Sequence, residues 1–273
     1  MKKPEIYFHV GMGKVASTYL QYDVFPYYQG VHYIQRTKYK RAKQIIAKGQ
    51  YDKYFLSREF DQQMEAEAKD FSSAYPWARP IIIFRRHGSW IASQHRRFVK
   101  NGNPWAFHEF IDLKNDQGRF KKQDLEFFRN IEILERYFEH KPLVLFYEDL
   151  RKDTVAFAQR IAEYMGATID REDIRLSKRH TSYNEKQLRA IYGVSKRLNI
   201  RKHRDYKIGA LNHIRRALVN PIKYGTLYLA PYLPEAWLRQ EPLVQPEQID
   251  EITQLYTDDW QRLQAYAAEN NPV

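Results

Sequence analysis

Three groups of residues in this 273-residue sequence have the types and spacing to do chemistry. The first is Gly11-Met12-Gly13-Lys14-Val15-Ala16-Ser17-Thr18, directly after the apolar run Ile6-Tyr7-Phe8-His9-Val10. Glycines let a backbone turn tightly with its N–H groups exposed, a helix starting there points its positive end at the turn, and Lys14 adds a full charge beside two hydroxyls. This is the construction of a phosphate or sulfate cradle. The second is Arg85 at the end of Ile81-Ile82-Ile83-Phe84, with Ser93 eight residues later. An arginine at a strand end forks two hydrogen bonds onto a phosphate, and a serine two helical turns on can curl back to the same oxygens. The third is Glu59, in Leu56-Ser57-Arg58-Glu59. There is no H-E-x-x-H and no His pair with an acid at ligand spacing, so no metal is expected.

The elements that must position these groups follow from pattern. Runs at 6–10, 81–84 and 143–147 are rich in β-branched and aromatic residues with little polar alternation, as in strands buried on both faces of a parallel sheet. Weaker strand patterns fall at 31–35 and 53–57, so Glu59 emerges on the same sheet edge as the cradle. Helical spacing marks 38–48, 61–74, 123–139 and 153–165, the last with Asp153-Thr154 to start it and Gly166 to stop it. The alternation predicts an α/β fold, a doubly wound parallel sheet of about five strands flanked by helices. After residue 170 only helices are expected, near 184–199, 207–219 and 246–268, interrupted by Pro221, Pro231, Pro234, Pro242 and Pro246. The expected organisation is a single domain over 1–273, with an α/β core at 1–170 and a helical extension at 171–273 packed on it.

Two familiar cradles fit the first loop imperfectly. A Walker loop requires Gly where Phe8 stands and Ser or Thr where Val15 stands. A dinucleotide fingerprint is met by Gly11, Gly13 and Ala16, but no acid for the ribose occurs in 35–41, where Arg36 would suit a 2′-phosphate instead. An NADP-dependent or kinase-like nucleotide enzyme is therefore one alternative.

Composition narrows the rest. With 45 Lys+Arg against 33 Asp+Glu the chain carries +12, which asks for an anionic partner. Eight basic residues and one acid, Asp205, crowd 196–216, so a basic module binding nucleic acid or a membrane is the second alternative. The absence of Cys excludes disulfides, zinc-finger ligation and a thiol nucleophile. A mean hydropathy of −0.72 and short apolar runs argue against a membrane span, and no signal-peptide stretch follows Met1, so a cytoplasmic protein is expected. The aromatic, apolar stretch 222–238 behind the basic run allows peripheral contact with the inner membrane surface through 196–238.

At the first loop the sequence resembles the sulfotransferases that use 3′-phosphoadenosine 5′-phosphosulfate (PAPS). Their loop has the form G-x-x-K-x-G-[ST]-[ST]-x-L, and Gly11, Lys14, Ser17, Thr18 and Leu20 fall in register, with Ala16 in place of glycine. Their second element, R-[ND]-P-x-x-R-x-x-S, is matched by Arg85 and Ser93, while Arg86-His87-Gly88 and Trp90 depart from it and shift attention to Arg86, Arg96 and Arg97. Their late strand followed by Tyr-Glu-Asp-Leu stands intact at 143–150. The segment around His180-Thr181-Ser182, Gln187 and Leu188 resembles the part that closes over the nucleotide, which would bring Lys178, Arg179 or Lys186 near the donor. The closing stretch from Ile249 to Tyr266 also looks like the terminal helix of bacterial members.

The resemblance implies a P-loop-type sulfotransferase fold and a PAPS donor leaving as adenosine 3′,5′-bisphosphate, with no metal. It further implies a hydroxyl acceptor on a carbohydrate or glycolipid, and no nucleic-acid partner. The donor would be held by Gly11, Gly13, Lys14, Val15, Ala16, Ser17, Thr18, Arg85 and Ser93. Lys14 would neutralise the leaving phosphate and Glu59 would act as the base, with His87, His95 and His108 as rivals.

Overall fold

Runs without polar alternation have no face to give to water, so they pair side by side beneath helices. In the computed structural model, which describes residues 3–175, 183–201, 209–238 and 240–272, five such runs form one sheet. They are β1 (Glu5–His9), β2 (His32–Ile34), β3 (Lys53–Ser57), β4 (Arg79–Phe84) and β5 (Leu143–Phe146). The order is β2-β3-β1-β4-β5 and every pair is parallel. Phe8, Phe55, Ile82 and Ile83 are wholly buried, as strands covered on both faces require. From β1 the chain turns toward β2 and β3, and from β4 it turns the other way to β5. The crevice between β1 and β4 is thus the switch point at which such sheets bind ligands.

The helices, in chain order, are α1 (Ser17–Asp23), α2 (Ala42–Ala47), α3 (Met64–Ser72), α4 (His87–Lys100), α5 (Phe107–Phe110) and α6 (Phe128–Tyr137). They continue with α7 (Tyr147–Lys152), α8 (Thr154–Tyr164), α9 (Glu185–Arg197), α10 (Gly209–Leu229), α11 (Pro246–Leu255) and α12 (Thr257–Asn270). Local signals set several ends. The Asp153 carboxylate accepts the Ala156 N–H at 2.9 Å to open α8, and Gly166 leaves it with φ 57°. Asn184 and Gln187 form a reciprocal capping box on α9. One boundary departs from expectation: α10 runs through Pro221 to Leu229 instead of stopping before it. Pro221 is exposed, so the carbonyl a turn earlier that loses its N–H partner can turn to water.

The chain forms two compact units, each built from segments distant in sequence. The first comprises 1–87, 124–180 and 255–273 and contains the whole sheet; the second comprises 88–123 and 181–254 and is helical. In the second, Trp90, at the family's second-arginine position, is buried edge-on against Phe120. Gly88 there leaves no room for a side chain, since a Cβ would come within 2.1 Å of the Ile249 carbonyl oxygen.

The first unit returns to its C-terminus for a key tie. The Asp259 carboxylate of α12 accepts the Phe127 and Phe128 N–H groups at 3.0 and 3.1 Å, closing the start of α6, and sits 2.9 Å from His87 Nε2. His87 is buried and stacked against Phe127 and Tyr256. Removing this carboxylate strands three donors in a dry site. Asp259→Ala is therefore expected to lower unfolding free energy by about 3 kcal/mol in urea titrations; a loss below about 1 kcal/mol would mean water replaces the carboxylate.

Candidate active site

Three segments leave the carboxyl edge of the sheet side by side because their strands are neighbours. His9 lies opposite Ser57 of β3 and Ile81 of β4 in the strand register. Beyond the strands, hydrogen bonds continue the pairing into the loops. The Arg58 N–H donates to the His9 carbonyl at 2.9 Å, the Phe60 N–H to the Gly11 carbonyl at 3.0 Å, and the Gly13 N–H to the Asp61 carboxylate at 2.9 Å. On the other side Val10 donates to the Ile81 carbonyl at 2.9 Å, and the Arg85 guanidinium donates to the Lys14 carbonyl at 3.1 Å. Lys14, Glu59 and Arg85, far apart in sequence, are brought to one edge.

The loop itself has the form of an anion cradle. Among the described residues, the backbone N–H groups of Val15, Ala16, Ser17 and Thr18 have no acceptor within the protein, although Val15 and Ser17 are buried. Buried donors left unspent are costly unless a ligand takes them, so their chemistry fits an oxyanion. The Ser17 hydroxyl donates back to the Met12 carbonyl at 3.2 Å and braces the loop. Lys14 and Ala16 both adopt left-handed backbone, with φ 70° and 63°. This is why the family pattern has glycine at the position of Ala16: a Cβ there costs about 1 kcal/mol or more. Gly11 is needed for another reason. A Cβ on it would lie 2.4 Å from His9 Nε2, so the glycine makes way for an imidazole.

His9 carried no motif and was missed by sequence reasoning, because it sits inside a strand pattern. Its ring is wholly buried, with Nδ1 2.7 Å from the Ser57 hydroxyl, which in turn accepts the Gln21 amide at 2.9 Å. Burial without a countercharge pulls its pKa down to about 3, so the ring is neutral. Tyr147 was also missed as a site residue: its ring carries the Arg85 guanidinium 4.5 Å from its centroid. Its neighbour Glu148 accepts the Arg86 N–H at 3.1 Å. The Tyr-Glu-Asp-Leu element thus holds the strand end from which both arginines leave.

Glu59 is half-buried between the two residues that lace onto the cradle loop, and its carboxylate makes no hydrogen bond or ion pair with any described residue. A carboxylate in that position can take a proton. The rival histidines are placed differently: His87 is committed to Asp259, and His95 is buried with Nε2 2.8 Å from the Trp105 carbonyl oxygen. His108 lies in the second unit, exposed at a cavity of about 600 Å³. Ser93 falls on α4 in the second unit, half-buried.

Of the other basic candidates, Arg86 lies over the Trp260 ring at 5.3 Å, Arg96 is 3.9 Å from Glu185, and Lys186 donates to the Pro231 carbonyl at 3.0 Å. Lys178, Arg179 and the His180-Thr181-Ser182 segment lie outside the described residues. Among the described residues no group of three His, Asp or Glu could hold a metal ion. The strained Ala16 yields a direct check. Ala16→Gly is expected to raise stability by about 0.5–1 kcal/mol in thermal unfolding, with nucleotide binding retained; a fall would mean the left-handed turn costs the alanine nothing.

A family model described as the sulfotransferase domain matches residues 92–208, a stretch that contains Ser93 and the Tyr-Glu-Asp-Leu element and begins past Lys14, Glu59 and Arg85. No curated protein matches the sequence. Among solved structures, a sulfotransferase from Alicyclobacillus acidocaldarius superposes with a TM-score of 0.52 at 13% identity, over 71% of this chain and 93% of that one. A mouse sulfotransferase, SULT7A1 complexed with PAP, aligns with a TM-score of 0.47 at 16% identity, over 98% of this chain and 90% of that one. The chain thus carries a stretch that matches the sulfotransferase domain, and its five-stranded parallel sheet shares the fold of a solved sulfotransferase.

Proposed function

We propose that this protein transfers a sulfuryl group from PAPS to a hydroxyl of a carbohydrate or glycolipid acceptor, in the cytoplasm at or near the inner membrane surface. The observation that carries the transfer is the row of unspent N–H groups from Val15 to Thr18 beside Lys14, in a loop laced to the segment bearing Glu59. Sulfuryl transfer, like phosphoryl transfer, asks the protein mainly for position and charge. The acceptor oxygen attacks sulfur as the bond from sulfur to the 5′-phosphate oxygen breaks in line. The charge released on that phosphate meets Lys14 and the cradle N–H groups, and the acceptor proton passes to Glu59. Arg85, steadied by Tyr147 and by the Lys14 carbonyl, would grip the 3′-phosphate. The acceptor class rests on a carboxylate base and on family analogy.

Two variants separate the roles. Lys14→Ala is expected to lower turnover about 10²–10³-fold with the fold intact by circular dichroism; unchanged turnover would remove the cradle from the chemistry. Glu59→Gln is expected to keep thermal stabilisation by adenosine 3′,5′-bisphosphate while turnover drops about 10²-fold. Wild-type turnover in that variant would pass the base role to another group.

A further inference from the structure

α10 is apolar on the side that faces water. The residues it turns inward include Lys223 and Leu227, both buried, with Lys223 reaching the Asn101 side-chain oxygen at 3.3 Å. Its outward face carries Leu211, Ile214, Leu218, Ile222 and Leu229, a stripe at intervals of three, four, four and seven residues. These are 43%, 58%, 67%, 42% and 62% exposed, whereas a surface helix ordinarily turns such a stripe toward the core. Beyond the stripe come Tyr228, Tyr232 and Trp237, 65%, 86% and 75% exposed. No Asp or Glu lies between Asp205 and Glu235, while Lys207, Arg215, Arg216 and Lys223 do.

We propose that α10 and the turn after it seat on an anionic lipid surface, the helix lying in the plane of the interface with its leucine and isoleucine stripe in the acyl boundary. An amphipathic helix with Trp and Tyr at one end and cations as its only charges is the composition that such surfaces hold. Spanning is not the mode: among the described residues no helix is long and apolar enough to cross a membrane. A second copy of this chain is the poorer cover, because chains that each carry +12 repel one another. The inference deepens the reading of a glycolipid acceptor and rests on it only for the advantage such a seat brings; lipid binding itself needs neither donor nor acceptor.

The test is co-sedimentation of the full chain with vesicles of phosphatidylcholine containing about 30% phosphatidylglycerol, and with vesicles of phosphatidylcholine alone. Binding to the anionic vesicles, weaker on the neutral ones and reduced by salt, is expected. The double variant Leu218→Glu/Ile222→Glu, at exposed positions that Glu tolerates in a helix, is expected to lower partitioning at least about tenfold with an unchanged unfolding midpoint. Protein remaining in the supernatant with both vesicle types, or equal partitioning of the variant, overturns the proposal. So does a dimer in analytical ultracentrifugation that the variant splits, which would give the stripe to a second copy. Saturable binding to polyglutamate without vesicle binding would give it to an acidic protein. Stabilisation by adenosine 3′,5′-bisphosphate, measured on the same samples, reports the donor site separately, so failure of either reading is seen without the other.

Discussion

The site depends on one constraint: β1 lies between β3 and β4 in a parallel sheet, so three loops leave the same edge as neighbours. Parallel strands end together, and the hydrogen bonds that join them do not stop at the last paired residue. Phe60 reaches the Gly11 carbonyl, and Arg85 reaches the Lys14 carbonyl, so the flanking segments are tied to the cradle backbone itself. An anion placed among the cradle N–H groups would therefore find Lys14 and Arg85 already on rigid supports. Preorganised charge of this kind needs no rearrangement when charge develops, which is where most of its catalytic value lies.

The cradle holds strain and desolvation that folding alone would avoid. Lys14 and Ala16 keep left-handed backbone, and among the described residues four consecutive N–H groups find no acceptor and the buried His9 Nε2 no hydrogen-bond partner. Such features persist only where surrounding structure over-determines them. Here the support is visible: Ser17 braces Met12, Asp61 holds the Gly13 N–H, and Ser57 fixes the imidazole that fills the space above Gly11. Tyr147 does the same for Arg85, its ring lying under the guanidinium.

Strand runs, helix caps and the turn after β1 were legible in sequence because each depends on residues close in the chain. Burial of a strand on both faces shows as a run without polar alternation, and an N-cap such as Asp153 shows as a side chain three residues from the N–H it accepts. The basic run at 196–216 was less legible. Arg215 is spent on the carbonyls of Asn199 and Arg201, and Lys196 lies over the Tyr192 ring, contacts that charge counting has no means to see.

From the sequence alone came the parallel α/β class, the glycine-bearing loop with Lys14 after β1, the arginine at the end of β4 and a carboxylate on the same edge. All of these follow from local periodicity and from the rule that loops after parallel strands share an edge. Tertiary structure decided the rest. It made Gly11 a matter of the room His9 needs, placed His87 against Asp259 and His95 against the Trp105 carbonyl, and returned the C-terminal α12 to the sheet unit through Asp259. Those outcomes turn on contacts between residues up to 172 positions apart, where packing selects among partners that local pattern leaves equal.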